Sequence, residues 1–134
     1  MIFVDTSFWI AWTVPRDEHH QDALQLFASL APQPLVTSNH VRGETWTHLR
    51  RKAGHRIGVE VLDRIDRSPL VTVAFIGAEL EERAANWLRK HDERAYSFVD
   101  ATSFALMRSL KVRQALAFDG DFAAAGFVEL RPRT

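Results

Sequence analysis

Four acidic side chains stand where catalysis could use them. Asp5 directly follows the apolar run Ile2-Phe3-Val4, and Asp119 directly follows Ala115-Leu116-Ala117-Phe118. Acids beyond the carboxyl ends of strands in an open parallel sheet sit where such sheets gather functional groups. Each has a second reading as a helix N-cap, a position that favours Asp. Asp100 lies in Phe98-Val99-Asp100-Ala101-Thr102-Ser103-Phe104-Ala105-Leu106-Met107, apolar on almost every side when wound as a helix. A carboxylate near the start of such a helix is partly buried, and a buried charge must be paired, protonated or bound to a cation. Its other reading is a favourable placement at the positive end of the helix dipole. Glu44 is three residues after Val41 and four before His48, on the edge of an apolar stripe, where it serves the same site or pairs with His40, His48 or an arginine. Asp121, two residues after Asp119, supplies a further oxygen or caps a helix beginning at Phe122, and it ranks behind the other four.

Converging carboxylates repel one another and raise their own pKa values. A hard divalent cation such as Mg²⁺ accepts oxygen ligands and removes that penalty. It also orients water and stabilises charge on a phosphate, the two requirements of phosphodiester hydrolysis.

The elements that must position these acids alternate along the chain. Strands are expected at Ile2–Asp5, Leu35–Thr37, Leu70–Phe75, Ala115–Phe118 and Phe127–Leu130. Helices are expected over Asp17–Leu30, from a Ser38 or Asn39 cap to about Ala53, over Arg56–Arg67, Ala78–His91 and Ser97–Leu110, and in a short turn from Phe122 to Ala125. Short strands alternating with helices predict an α/β domain with a mostly parallel sheet. The 134 residues suit one domain, 1–134, with one core.

Composition narrows the class further. The absence of cysteine excludes a disulfide scaffold, a thiolate metal site and a thiol nucleophile. Lys+Arg and Asp+Glu are both 17, so a basic total does not announce a nucleic-acid partner. The local excess from Arg42 to Arg56 does offer phosphate contacts, through Arg42, Arg50, Arg51 or Lys52, or else it is an exposed helix face. No basic leader precedes the first strand and no stretch approaches a membrane span, so a cytoplasmic protein with no membrane association is expected. His19-His20 and the row His40, Glu44, His48 lack metalloprotease spacing and read as surface or hydrogen-bonding groups. Trp9, Trp12, Trp46 and Trp87 read as core or dimer contacts, and Thr6 and Ser7 as caps or as groups that orient water or Asp5.

Val4-Asp5-Thr6-Ser7, Glu44 in a helix, Ser97-Phe98-Val99-Asp100-Ala101 opening a helix, and Phe118-Asp119-Gly120-Asp121-Phe122 together resemble, in order and spacing, the PIN-domain family. The length and the opening Asp5 are similar to its toxin branch, the VapC ribonucleases of VapBC toxin–antitoxin pairs. The resemblance implies a PIN-like three-layer α/β fold, a central sheet flanked by helices, with the acids meeting at the carboxyl edge. It implies Mg²⁺ or Mn²⁺ bound chiefly by Asp5 and Asp100, with Asp119 as a further ligand and Glu44 completing the acidic pocket. It further implies hydrolytic cleavage of an RNA substrate, a homodimer, and inhibition by a cognate VapB-like antitoxin that inserts a segment near the site. The family often places Thr or Ser two residues before its fourth acid. Here that position is Ala117, and Ser7, Ser97 or Thr102 is left to supply a hydroxyl.

Competing readings are separable. A phosphatase of the haloacid dehalogenase type requires a second Asp two residues after Asp5, where this chain has Ser7; a receiver domain requires a phosphorylatable Asp after a central strand and a Lys after a late one, and neither is present. A non-catalytic PIN-like nucleic-acid or protein binding module, marked by loss of one or more acids, is the alternative; all four are retained, which favours an enzyme. Single-stranded DNA or structured RNA as substrate stays open on sequence alone.

Overall fold

Ile2-Phe3-Val4 and Leu35-Val36-Thr37-Ser38 are buried at every residue, as strands covered on both faces must be. They are β1 (Ile2–Val4) and β2 (Leu35–Ser38) in a computed structural model that describes residues 1–133; Thr134, the end of the expected domain, lies outside the described residues. In chain order, β1 is followed by α1 (Thr6–Thr13), α2 (His20–Leu30), β2, α3 (Asn39–Ala53), α4 (His55–Arg67) and β3 (Val71–Ala74). Then come α5 (Ala78–Lys90), α6 (Phe98–Leu110), β4 (Gln114–Leu116), α7 (Asp121–Ala124) and β5 (Val128–Glu129).

The strands form one sheet in the order β3-β2-β1-β4-β5. Every pairing is parallel, with Phe3 between Val36 and Ala115, and Val4 opposite Leu116. The expected mostly parallel sheet is therefore entirely parallel. Right-handed crossovers put α1 to α4 on one face and α5 to α7 on the other, giving three layers. Phe3, Phe104 and Phe122 are fully buried on the second side, with Phe104 edge-on to Phe122 at 5.0 Å.

Two departures from the sequence expectations concern the site. The first is α1, a helix over residues that carried no helical expectation. Thr6-Ser7-Phe8-Trp9-Ile10-Ala11-Trp12-Thr13 shows no one-sided stripe because Thr6, Phe8, Trp9 and Ala11 are all buried. The second is β4, which ends at Leu116 rather than Phe118. There the backbone leaves the sheet: the Phe118 N–H donates to Ser7 Oγ (3.0 Å) and the Ala117 carbonyl accepts from Arg131 (2.7 Å). The helix expected from Asp17 begins at His20, because the Asp17 carboxylate instead accepts from the His19 N–H (2.8 Å) and holds a turn.

Helices α3 and α4 are joined at Gly54, whose φ of 95° suits only glycine. They pack so closely that a Cβ on Gly58 would lie 2.9 Å from the Trp46 ring. This pair holds Glu44 and His48 against the carboxyl edge of the sheet.

Candidate active site

Strand order runs leftward from β1 to β2 and resumes on the other side with β4, so β1 and β4 flank the topological switch point. The crevice beyond their carboxyl ends is the place such a sheet offers a ligand. Asp5 and Asp119 leave these two strands into that crevice. Asp100, Asp121, Glu44 and His48 join them, with Ser7 and Ser97, around a cleft of about 280 Å³.

Each acid is held by local structure. Asp5, 3% exposed, caps α1: its Oδ2 accepts from the Ser7 N–H (3.1 Å) and from the Ser7 hydroxyl (2.7 Å). Ser7 Oγ in turn accepts the Phe118 N–H, so one hydroxyl ties the end of β1 to the backbone leaving β4. Asp100, 7% exposed, closes a capping box with Ser97, accepting the Ser97 N–H (3.0 Å) while its own N–H donates to Ser97 Oγ (2.9 Å). The capping reading of Asp5 and the helix-start reading of Asp100 therefore hold alongside their placement in the cleft. Each uses one oxygen for the cap.

Asp119 and Asp121 sit on a turn fixed from both sides. Glu129 of β5, its side chain 5% exposed, accepts the N–H groups of Gly120 (3.3 Å) and Ala123 (3.0 Å) and pairs with Arg131 (3.0 Å). Arg94 reaches across from the α5–α6 connection, donating to Asp121 Oδ1 (2.6 Å) and to the Asp119 carbonyl (2.9 Å). The Asp121 N–H donates to Asp119 Oδ1 (3.2 Å).

The electrostatics show the crowding. Asp5 is pushed up to about 8, first by burial and then by the charge of Asp119, against the opposing pull of its Ser7 bonds. Asp100 is raised to about 7 by burial and by the Asp121 and Asp119 charges. Asp119, open to solvent along its flank but with its carboxyl turned into the cleft, is raised to about 6 by desolvation, with Asp121 and Glu129 adding to it. Oxygens of Asp100, Asp119 and Asp121 lie within 4.8 Å of one another. Three clustered hard-oxygen donors beside a fourth, buried one, with Asp5, Asp100 and Asp119 resisting ionisation, suit a divalent cation: such an ion replaces the protons and supplies the missing positive charge.

The PIN-domain family model matches residues 2–128. The chain belongs to the PIN-domain family. It is 57% identical, over 98% of its length and 99% of theirs, to proteins of two Mycobacterium tuberculosis strains named 23S rRNA-specific endonuclease VapC20. A crystal structure of Mycobacterium tuberculosis VapC20, described as a sarcin–ricin loop cleaving toxin, superposes with a TM-score of 0.93 at 55% identity, covering 98% of this chain and 100% of that one. The resemblance to PIN domains and to their VapC branch, and the fold it implied, are borne out.

Within this PIN domain the structure brings Asp5, Glu44, Asp100 and Asp119 to one cleft. It also raises Asp121 from a residue ranked behind them to a member of the tightest oxygen cluster. The signal lay in the spacing: a glycine between two aspartates allows a turn (Gly120, φ 83°) that aims both inward. Of the three hydroxyls proposed to stand in for one at Ala117, Ser7 and Ser97 contact the acids, while Thr102 donates to its own helix at Val99.

The remaining residues sort as follows. His40 pairs with Glu81 (2.8 Å), away from Glu44, and His48 lines the cleft. Arg42 is committed to a bidentate pair with Asp66, leaving Arg50, Arg51 and Lys52 exposed on α3. Trp9 is buried, and Trp12 and Trp87 pack on Phe27 and Phe104. Among the described residues, no helix is long and apolar enough to cross a membrane.

Proposed function

We propose that this PIN domain is a divalent-metal-dependent endoribonuclease acting as the toxin of a toxin–antitoxin pair, with Asp5, Glu44, Asp100 and Asp119 as its catalytic acids. The observation that carries the reading is the convergence of ionisation-resistant carboxylates, Asp5 and Asp100 buried and Asp119 beside them, at the β1–β4 switch point. Asp5, Asp100 and Asp119 hold the ion, Mg²⁺ or Mn²⁺, with Asp121 in reach as a further oxygen. The ion supplies water activation and charge stabilisation at the scissile phosphate. Ser7 and Ser97 fix the orientation of Asp5 and Asp100. Glu44 makes no hydrogen bond among the described residues and lines the same cleft, which leaves it available to take a proton from the attacking water.

Near-complete coverage at 57% identity supports the same target as the relatives, the sarcin–ricin loop of 23S rRNA. It also supports a VapB-like antitoxin as partner and a cytoplasmic protein that works as one domain. Phe75 and Phe98, large apolar side chains left 79% and 44% exposed, support a homodimer.

The test is cleavage of labelled RNAs, 23S rRNA and transfer RNAs included, by wild type and Asp100→Asn, with Mg²⁺ and with EDTA. Discrete cuts are expected that vanish in EDTA, return with Mg²⁺, and fall a hundredfold or more in the variant, a loss of roughly 3 kcal/mol of transition-state stabilisation. Full activity in EDTA, or in Asp100→Asn, sinks the reading. Self-association is read by sedimentation, and antitoxin pairing by co-purification with the neighbouring gene product.

A further inference from the structure

Helices α5 and α6 form a hairpin whose short connection makes them antiparallel. Between them runs a second groove, of about 410 Å³, that the acidic cleft does not use. Its walls are the i, i+3, i+4, i+7 stripe Arg83, Asn86, Trp87 and Lys90 of α5 and the stripe Ala101, Ala105 and Arg108 of α6. Two alanines on the α6 side leave room, and no carboxylate lines it. Among the described residues, Lys90 and Arg108 pair with no acid, while Arg83 reaches Glu79 on its own exposed helix face (2.8 Å) and Asn86 accepts from Arg89 (2.7 Å). The Arg108 guanidinium is held over the rings of Trp87 (5.7 Å) and Phe127 (5.2 Å), which fixes it without neutralising it.

This chain carries zero net charge, so a groove lined by three cations and no acid is a local departure that calls for an anionic occupant. Its position says which. Ala101 and Asp100 both lie in the first turn of α6, so the groove and the acidic cleft share that end of the helix, and Lys90, at the close of the antiparallel α5, stands near it. Arg83 and Arg108 stand at the other, about 10 Å beyond Ala101 along α6 by helical rise.

We propose that the α5–α6 groove is a docking track for the phosphodiester backbone of the RNA, holding the strand beside the cleft through Lys90, Arg108 and Arg83. The proposal rests on the ribonuclease reading above and adds to it a binding surface outside the acidic cleft. Phosphate contacts position without reading sequence, so the track sets affinity and salt sensitivity and leaves the choice of target elsewhere.

The experiment compares wild type, Lys90→Gln, Arg108→Gln and the double variant on a labelled RNA fragment carrying the sarcin–ricin loop. Cleavage kinetics come first. Binding to the same RNA is then measured in an Asp100→Asn background at several salt concentrations. Losing two phosphate contacts should flatten the slope of log affinity against log salt by about 1.4, so that between 50 and 200 mM salt wild type loses about sevenfold more affinity than the double variant. KM should rise about tenfold for the double variant at the higher salt, with kcat within about twofold, by the same loss of ground-state binding. Arg108→Lys, which keeps the charge, should retain most of the slope. Lys90, exposed on α5, gives a variant that folds even if loss of the Arg108 stacking does not. Unchanged KM and salt slope in variants of an active wild type overturn the track. So does a change of sedimentation with the slope intact, which assigns the groove to self-association. A wild type that cuts no RNA fails the ribonuclease reading instead.

Discussion

Replacing a proposed catalytic acid should make the metal-free protein more stable, and Asp5 is the position where this is sharpest. Its carboxyl is raised to about 8 in the folded state, by burial first and the Asp119 charge second. In the unfolded chain it returns to the ordinary value near 3.9. Between those limits the folded state holds a proton that the unfolded state has released, so stability falls as pH rises from about 4 towards 8, at up to about 1.4 kcal/mol per pH unit. At pH 7 the accumulated cost is of order 2–4 kcal/mol. Asp5→Asn removes that cost because an amide has no charge to lose. It also keeps the cap: both Ser7 donors go to the same carboxylate oxygen, and an amide oxygen there accepts both. Thermal unfolding in EDTA should therefore show the variant melting roughly 10 °C above wild type at pH 7, with the difference closing near pH 4. Adding Mg²⁺ should raise wild type more than the variant, since the variant keeps Asp100, Asp119 and Asp121 but lacks the buried acid whose charge the ion answers. A variant that melts at or below wild type at pH 7 in EDTA would refute the idea that Asp5 is held against its charge.

Three further outcomes are expected. Asp100→Asn should keep its capping box with Ser97 in part, fold normally, and lose at least a hundredfold in RNA cleavage rate, about 3 kcal/mol in the barrier; retained turnover removes Asp100 from the chemistry. Ser7→Ala should cost about 1–3 kcal/mol in urea unfolding, because the Phe118 N–H loses its acceptor, and should lower kcat, while Ser7→Thr recovers both; an alanine variant with unchanged stability shows that this hydroxyl does not tie β1 to β4. Glu129→Gln should weaken Mn²⁺ binding by roughly tenfold in calorimetry, because Glu129 holds the Asp119–Asp121 turn through the Gly120 and Ala123 N–H groups, and wild-type affinity in that variant separates the turn from the ion site.

The sheet and five longer helices were legible because their buried residues recur with one period. Leu80, Ala84, Trp87 and Leu88 mark α5, and the β-branched run at Val71 marks β3. Helix α1 was not, since a segment buried on most sides has no polar face to supply a period. The four acids were readable as residues out of place: a charge inside Phe98–Met107 has no cheap structural explanation. Asp121 ranked behind the other acids on sequence, because its place in the cluster depends on the turn that Gly120, Arg94 and Glu129 build together. Arg94 and Glu129 look like ordinary surface charges in the sequence. Their partners lie 27 and 9 residues away for Asp121 and Gly120, distances across which no local pattern carries information.

A neutral chain that handles RNA is a smaller paradox than its composition suggests. Without metal, burial and mutual repulsion raise Asp5 and Asp100 and favour their protonated forms, so the cleft carries less negative charge than a count of its carboxylates implies. A divalent ion entering there displaces protons and brings positive charge with it. The strongest repulsion a phosphate backbone could meet on this surface is thus removed by burial in the free protein and by the ion in the loaded one. Asp121, a partly exposed acid of that cluster, is answered by Arg94 at 2.6 Å. Attraction can then be supplied by few cations placed nearby, on α5 and α6, without an excess of basic residues over the whole chain. The balance of 17 acids and 17 bases records how the charges cancel in sum, while binding depends on where on the fold each sign is concentrated.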